Sequence, residues 1–203
     1  MLVLGGVVAA GATACTGQDR ARAGELQPAA PQPERLPAVA SFVCDAVRQD
    51  LRSCVYAGPR GRLRIVDSLS NIRRLYVGDG PQWRELPRFY GSALWSLCTL
   101  PEDSANVPRA DRVAMTDVDG DGRDDVVVVA DCITGIGPTG AQPFAVGSIY
   151  LQESPARYGS ADARDSTFTR ALPETCADGG PCDVVAAARA AVRGAPVADG
   201  LRP

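Results

Sequence analysis

The chain has 203 residues and a formal net charge of −3, and it contains neither histidine nor lysine. These absences exclude His-activated nucleophiles, His metal ligands, Lys Schiff bases and the phosphate-binding Lys of a P-loop, so any catalysis would fall to carboxylates, Tyr, Ser or Arg. The acidic balance, without a basic stripe, predicts that the protein does not bind nucleic acid.

Residues 1–14 are predicted to be a signal peptide. Their apolar run of 13 residues suits a signal-peptide core and is shorter than the ~20 residues that span a bilayer. Residues 12–15 read ATAC and resemble a bacterial lipobox, so Cys15 is predicted to carry lipid and to anchor the protein in the membrane. The residue after this cysteine is Thr16 rather than Asp, which predicts sorting to the outer membrane if the source is a two-membrane bacterium. The alternatives are a signal peptide that is cleaved to give a soluble secreted protein, and a protein that is neither lipidated nor secreted in this way.

Residues 15–37 are predicted to be a disordered tether. Four prolines fall among Ala, Gln and charged residues, without aromatic or β-branched apolar side chains to bury. At about 3.1 Å per residue, an extended tether would hold a domain up to roughly 70 Å from its anchor. Residues 38–193 are then expected to form a single domain, and residues 194–203 a disordered tail.

The first elements of the domain are predicted from periodicity. Apolar residues recur at helical spacing over residues 38–51, which predicts a helix. Residues 63–66 and 72–77 are predicted to be strands joined by a turn at 68–71. The apolar positions of the predicted helix are Val39, Phe42, Val43, Ala46, Val47 and Leu51.

An aromatic-rich segment follows at residues 83–95. Aromatic side chains in a disulfide-rich β domain are mostly core, which is the interpretation favoured here. The alternative is a platform that stacks on sugar rings, with Glu102 and Asp103 as an acid/base pair. Adjacent residues on a strand point to opposite faces, so that pair is a poor candidate. The aromatic residues are Trp83, Phe89, Tyr90 and Trp95.

Residues 117–125 carry the strongest chemical signal, with the sequence DVDGDGRDD. Alternate carboxylates on a tightly turned backbone offer the oxygen ligands that calcium requires, and Gly122 permits the sharp bend. The predicted ligands of a Ca²⁺ ion are the carboxylates of Asp117, Asp119, Asp121 and Asp125 and the backbone carbonyl of Arg123.

The charge around this loop favours a bound cation. Residues 111–131 contain seven Asp and two Arg, a local charge of −5, and converging carboxylates repel one another without a cation. An acidic surface turn without metal is the alternative. If calcium binds, bracing of the fold is the expected role, with a dissociation constant of about 0.1–1 mM for an extracellular module.

The loop is followed by a strand where an EF-hand would have a helix. Residues 126–129 are four consecutive valines, and such a β-branched run predicts a buried strand. With the further strand at 147–151 and a strand-and-turn at 75–83, residues 72–152 resemble the FG-GAP and VCBS calcium-loop repeats of integrin-type β-propellers.

This resemblance implies a propeller-blade-like antiparallel sheet and a protein that binds rather than catalyses. A complete propeller needs at least four blades of about 40–50 residues, more than the ordered part offers. The predicted fold is therefore mainly β with short flanking helices, and not a closed propeller.

Six cysteines remain after Cys15 and are expected to form disulfides in an exported protein, although they allow fifteen pairings. The last two would close a short loop, and the middle two could join neighbouring strands. The first two would lie about 15 Å apart on one straight helix, so pairing them requires the helix to break. The candidates are Cys44, Cys54, Cys98, Cys132, Cys176 and Cys182.

The remaining segments predict ordinary elements. Residues 134–141 form a glycine-rich loop without the Gly-Lys-Ser/Thr ending of a P-loop. Residues 144–151 are predicted to be a strand and residues 182–193 an Ala-rich helix.

The expected function is that of a lipid-anchored, calcium-stabilised envelope protein. It would act as a non-catalytic module that binds an unidentified envelope protein or surface polymer. A carbohydrate-binding or carboxylate-based carbohydrate-acting protein is the alternative, and a purely structural accessory lipoprotein is a third possibility.

Overall fold

The protein is mainly β, with two antiparallel five-stranded sheets and four short helices in the computed structural model. The described residues form no closed barrel or propeller, as expected. The structure describes residues 40–45, 51–68, 71–94, 96–103, 107–133, 142–178 and 180–194. The strands are β1 Ser41–Cys44, β2 Leu51–Gly58, β3 Gly61–Ser68, β4 Asn71–Asp79, β5 Gln82–Glu85, β6 Leu97–Thr99, β7 Val113–Thr116, β8 Asp125–Ile133, β9 Phe144–Ser154 and β10 Arg157–Gly159. The helices are α1 Tyr90–Ala93, α2 Asp162–Ala171, α3 Glu174–Ala177 and α4 Val184–Val192.

The first sheet is an antiparallel meander in the order β1-β2-β3-β4-β5. Side chains alternate between a buried and a more exposed face along β2, β3 and β4, as expected when one face of a sheet covers a core. The predicted strands at 63–66 and 72–77 are confirmed as β3 and β4. The buried face contributes Cys54, Tyr56, Leu63, Ile65, Leu75 and Val77.

The second sheet is built around β8. Strand β9 lies on one side of β8, and β7 and β6 follow one another along the other side. The four valines 126–129 are each 0% exposed, which confirms the predicted buried strand. Such a continuous apolar run is typical of a strand covered on both faces.

Each face of β8 enters a different apolar core. Val126 and Val128 pack in the core that also contains the buried face of the first sheet. Val127 and Val129 face the other way and pack with α2 and α4, in the core that contains Phe168. The domain thus has a first sheet, a second sheet and a helical layer. The Phe168 ring lies so close to β9 that a Cβ added at Gly147 would be 2.2 Å from it.

The helix predicted over residues 38–51 is wrong. Ser41–Cys44 is strand β1, and Leu51 begins strand β2, which pairs antiparallel with β1. Phe42 is buried at 8% exposure while Val43 is 71% exposed, the alternation of a strand rather than a helical stripe. Short apolar runs fit both periods, and pairing with the neighbouring strand decided the outcome here.

Strand pairing also resolves the expected difficulty with the first disulfide. Cys44 and Cys54 lie directly opposite each other on β1 and β2, with their Cα atoms 4.0 Å apart. The other two bonds confirm the predicted pairs: Cys98–Cys132 joins β6 to β8, and Cys176–Cys182 closes a short loop before α4. In the chain-entropy view, a bond spanning 34 residues, as the middle one does, stabilises by about 3–4 kcal/mol.

Other predictions are met in part. The strand predicted at 144–151 is β9, and the predicted Ala-rich helix at 182–193 is α4. The signal peptide, the tether with Cys15, and the glycine-rich loop at 134–141 lie outside the described residues, as do residues 195–203 of the tail. None of the described helices combines the length and apolarity needed to cross a bilayer.

Helix α2 was not predicted, and one of its acidic residues helps to dock it. Asp165 is 1% exposed, and its Oδ1 accepts a hydrogen bond from the Ile149 amide of β9 at 3.0 Å. Burial raises the pKa of Asp165 to about 6, despite this hydrogen bond and the nearby Arg164. Because the folded pKa lies above that of the unfolded chain, the contribution to stability is full below pH ~4 and is lost as pH rises through ~6.

We predict that Asp165→Asn removes this pH dependence. The neutral amide can keep an acceptor oxygen toward Ile149, so the variant should match the protein near pH 4. At pH 7.5 it should be more stable by about 3 kcal/mol, the equivalent of a shift of roughly two units. Urea unfolding between pH 4 and 7.5 measures this, with Asp162→Asn on the same helix as control. A stability difference that does not change with pH would contradict the prediction.

Candidate metal centre

The acidic loop connects β7 to β8 and is folded by its own carboxylates. Asp117 accepts hydrogen bonds from the amides of Gly120 at 2.6 Å and Gly122 at 2.9 Å. Asp119 accepts from the Asp121 amide at 3.1 Å. Short acidic side chains commonly fold a turn in this way, by bonding to amides a few residues ahead. The two amide donors lower the pKa of Asp117, so it stays ionised.

Two glycines give the loop its curvature. Gly120 and Gly122 have φ angles of 88° and 84°, in the left-handed region that favours glycine. An added Cβ at either position would meet no atom within 4 Å. The requirement for glycine is therefore conformational, since there is room for a side chain.

Asp125 lies at the buried end of the loop, where β8 begins. It is 0% exposed, and its two carboxylate oxygens accept from the Val118 amide at 2.9 Å and from the Gln152 amide of β9 at 2.9 Å. Burial raises the pKa of Asp125, and the charges of Asp119 and Asp121 add to this effect. A carboxylate in such a position gains from any nearby positive charge.

Three of the predicted carboxylate ligands converge. Asp117, Asp119 and Asp125 each offer an oxygen atom, and these atoms lie within 4.8 Å of one another. Within the described residues, none of the three forms an ion pair. The cluster runs from an exposed side chain, Asp119, to the fully buried Asp125. A cation could therefore reach the cluster from solvent at Asp119, and the Asp125 carboxylate is held in place by its two hydrogen bonds.

The fourth predicted carboxylate ligand, Asp121, does not join the cluster. Asp121 turns to Arg123, accepting from its amide at 2.8 Å and forming an ion pair with its guanidinium. The Arg123 side chain also donates from Nε to the Gln152 carbonyl at 2.5 Å. The arginine thus neutralises one loop carboxylate and attaches the loop to β9.

The donor set fits calcium. Every candidate ligand atom is an oxygen, which a hard cation such as Ca²⁺ prefers, and carboxylates are its usual protein ligands. Each carboxylate can accept about four hydrogen bonds or metal contacts, and those of Asp117, Asp119 and Asp125 each hold one or two amides. Lone pairs therefore remain for an ion after the loop has folded.

Groups from three other elements secure the loop, and the sequence did not predict them. Arg60, in the turn after β2, pairs with Asp124 at 2.6 Å. Arg189 of α4 donates to the Asp117 carbonyl at 3.3 Å. Gln152 contributes only its backbone amide and carbonyl. A backbone contact leaves no signal in a sequence, and the two arginines lie at least 64 residues from their partners.

The residues of the alternative carbohydrate site that the structure describes are not brought together. Trp83 lies on the outer face of the first sheet, whereas Tyr90 packs against the core between the sheets. Trp95 lies outside the described residues. Glu102 forms an ion pair with Arg52, which also binds the buried Asp67 in a bidentate pair. Asp103 accepts from the Val107 amide at 3.1 Å.

Comparison with known proteins returned no relative: no family model, no curated protein and no solved structure matches the chain. The likeness of residues 72–152 to FG-GAP and VCBS repeats therefore rests on the motif alone. What the centre can bind has to be inferred from its own geometry.

We predict that Asp125→Ala destabilises the domain by about 2–4 kcal/mol even in EDTA, because it leaves two amides without an acceptor at a buried position. Asp124→Ala is the matched control. It removes the neighbouring carboxylate, whose exposed pair with Arg60 should contribute less than about 1 kcal/mol. Urea unfolding in EDTA measures both variants. Equal losses of stability for the two variants would contradict the prediction that the buried hydrogen bonds of Asp125 stabilise the domain.

Proposed function

We propose that the protein is a non-catalytic binding domain of the bacterial cell envelope, anchored by lipid at Cys15 and stabilised by calcium. The observation that carries the calcium proposal is the convergence of Asp117, Asp119 and Asp125 within 4.8 Å, without an ion pair among the described residues. A divalent cation would offset the repulsion that this arrangement otherwise retains.

A bound ion would act on the framework of the fold. Asp117 follows β7, Asp125 begins β8, and Asp125 is bonded to the Gln152 amide of β9. An ion held by the three carboxylates would therefore stabilise the junction of three strands. At a free concentration about a hundred times the dissociation constant, the gain would be roughly 2.7 kcal/mol.

Several observations favour binding over catalysis. The chain has no histidine or lysine, and the proposed acid/base pair is engaged elsewhere: Glu102 with Arg52, and Asp103 with a backbone amide. A cavity beside β4 and β5 measures about 100 Å³, below the ~300–1,000 Å³ of typical small-molecule sites.

The cysteines support export. Three disulfides use six of the seven cysteines and favour an oxidising compartment. The seventh is Cys15, at the end of the lipobox-like motif. Lipid at this residue would hold the domain at a membrane, with the Pro-rich segment as spacer.

We predict that 10 mM calcium, about 10–100 times the expected dissociation constant, stabilises the full chain by about 1.4–2.7 kcal/mol over EDTA, and that Asp119→Ala removes most of this gain. Asp119 is exposed, so its loss should change stability little in EDTA. Asp79→Ala, at the end of β4, is the control and should keep the gain. Thermal unfolding in both buffers measures this. Equal losses for Asp119→Ala with and without calcium would rule out a metal role.

We predict that Cys15→Ser moves the protein from the membrane to the soluble fraction of the cell, because the lipid acceptor is lost. Thr16→Ser leaves the cysteine in place and should stay with the membrane. Fractionation followed by immunoblotting measures both. A Cys15→Ser variant that remains membrane-bound would show that the lipobox interpretation is wrong.

A further inference from the structure

The outer face of the first sheet carries a cluster of cationic and aromatic side chains. Alternation along β3, β4 and β5 places half-exposed or exposed residues on the face opposite the core. We define this cationic face by five of its residues: Arg62, Arg64, Arg74, Tyr76 and Trp83.

The cationic face is ordered by stacking on Trp83. The guanidinium carbons of Arg62 and Arg64 lie 5.2 Å and 4.4 Å from the centre of the Trp83 ring, within the range of cation–π attraction. Gly78 lies directly opposite Trp83 on β4. An added Cβ at Gly78 would approach the Arg62 Cβ to 3.1 Å. A glycine at this position therefore lets the ring cover β4 and reach the arginines of β3.

A β-bulge adds further charge beside this face. Val66 pairs with Arg74 and Asp67 with Ile72, which leaves Arg73 as the extra residue of β4. As a result, two residues that are adjacent in the sequence, Arg73 and Arg74, are both exposed. Together with Arg88 they line the cavity of about 100 Å³ beside β4 and β5. The cavity is large enough for a small anionic group, although not for a whole small-molecule ligand.

Among the described residues that line this cavity, Glu85 is the one acidic side chain beside Arg73, Arg74 and Arg88, so it offsets their charge only in part. Arg73 donates to the Ser68 hydroxyl at 3.1 Å, Arg74 to the Tyr76 hydroxyl at 3.4 Å, and Arg88 to the Ser92 carbonyl at 2.8 Å. These acceptors are neutral. Of the residues that the described strands turn to this face, the one acidic residue is Glu85. A positive patch on a chain of net charge −3 points to an anionic partner.

We propose that the cationic face binds an anionic polysaccharide that carries carboxylate groups along its chain. The proposal rests on the assignment of the protein as an envelope binding domain, and it identifies the class of partner. Planar guanidinium groups held in place by Trp83 match carboxylates in two-point hydrogen bonds. Repeated carboxylates on one polymer would engage the flat face and the adjacent cavity together.

Two other anionic partners fit the face less well. Proteins that bind single-stranded nucleic acid stack bases on aromatic rings. The guanidinium groups of Arg62 and Arg64 already lie over the Trp83 ring, where a base would have to stack. A lipid surface requires exposed apolar anchors. Two exposed apolar side chains, Val43 on β1 and Leu51 on β2, lie on the same side of the first sheet, but β3, β4 and β5, which carry the cationic face, have no exposed large apolar residue.

The test titrates the full chain, in millimolar calcium, with hyaluronan fragments as the carboxylate polymer and dextran as the neutral polymer. We expect binding to hyaluronan that weakens with salt, and no binding to dextran. The double variant Arg62→Gln/Arg64→Gln should lose affinity by about tenfold or more. Arg74→Gln, which does not stack on Trp83, should also bind less tightly. Arg157→Gln/Arg170→Gln removes the same charge outside this face and should bind as the parent does.

Three results would overturn the proposal: no hyaluronan binding by the parent, equal losses for the face and control variants, or tighter binding to phosphatidylglycerol vesicles or an oligonucleotide than to hyaluronan. The calcium shift in thermal unfolding, measured on the same samples, separates this proposal from the preceding one. A protein that calcium stabilises and hyaluronan does not bind would refute the polysaccharide proposal and leave the calcium proposal intact.

Discussion

Burial of both faces of β8 is the constraint on which the rest of the fold depends. One face of its valine run requires the first sheet, and the other requires helices α2 and α4. Each fully buried valine stabilises the fold by about 1.5–3 kcal/mol. Because the four valines point alternately to the two faces of β8, burying all of them requires a covering layer on each side of the strand. The two disulfides that attach β6 to β8 and close the loop before α4 add to the elements that cover this strand.

The same constraint shapes the candidate metal centre. Asp125 is the first residue of β8, so burying the strand also buries this carboxylate. The amides of Val118 and Gln152 offset part of the cost. Asp117 and Asp119 are brought to Asp125 because the loop has to turn from β7 into β8 within eight residues. The acidic cluster is therefore a product of the hairpin, and a cation would strengthen the strand junction that the hairpin makes.

Sequence patterns predicted the elements whose signal is local. The valine run, the acidic loop and the short Cys176–Cys182 loop were found because each is defined by adjacent residues. The helix over 38–51 failed because strand pairing, a non-local contact, decided between two periods. Helix α2 has a single fully buried apolar residue, Phe168, and so no amphipathic stripe to detect. The sequence shows four loop carboxylates as equivalent candidate ligands. It does not indicate that Asp121 instead forms an ion pair with Arg123.

The layering also bears on the choice of the outer face of the first sheet as the proposed binding surface. The second sheet lies between two cores, so its side chains are fixed by packing, whereas the first sheet buries only one face. Solubility requires polar residues on the open face but does not require one sign of charge. The chain has 21 basic and 24 acidic residues, so an even mixture was available. Packing and solubility therefore leave the concentration of arginines around Trp83 unexplained, and the proposed recognition of an anion would account for it.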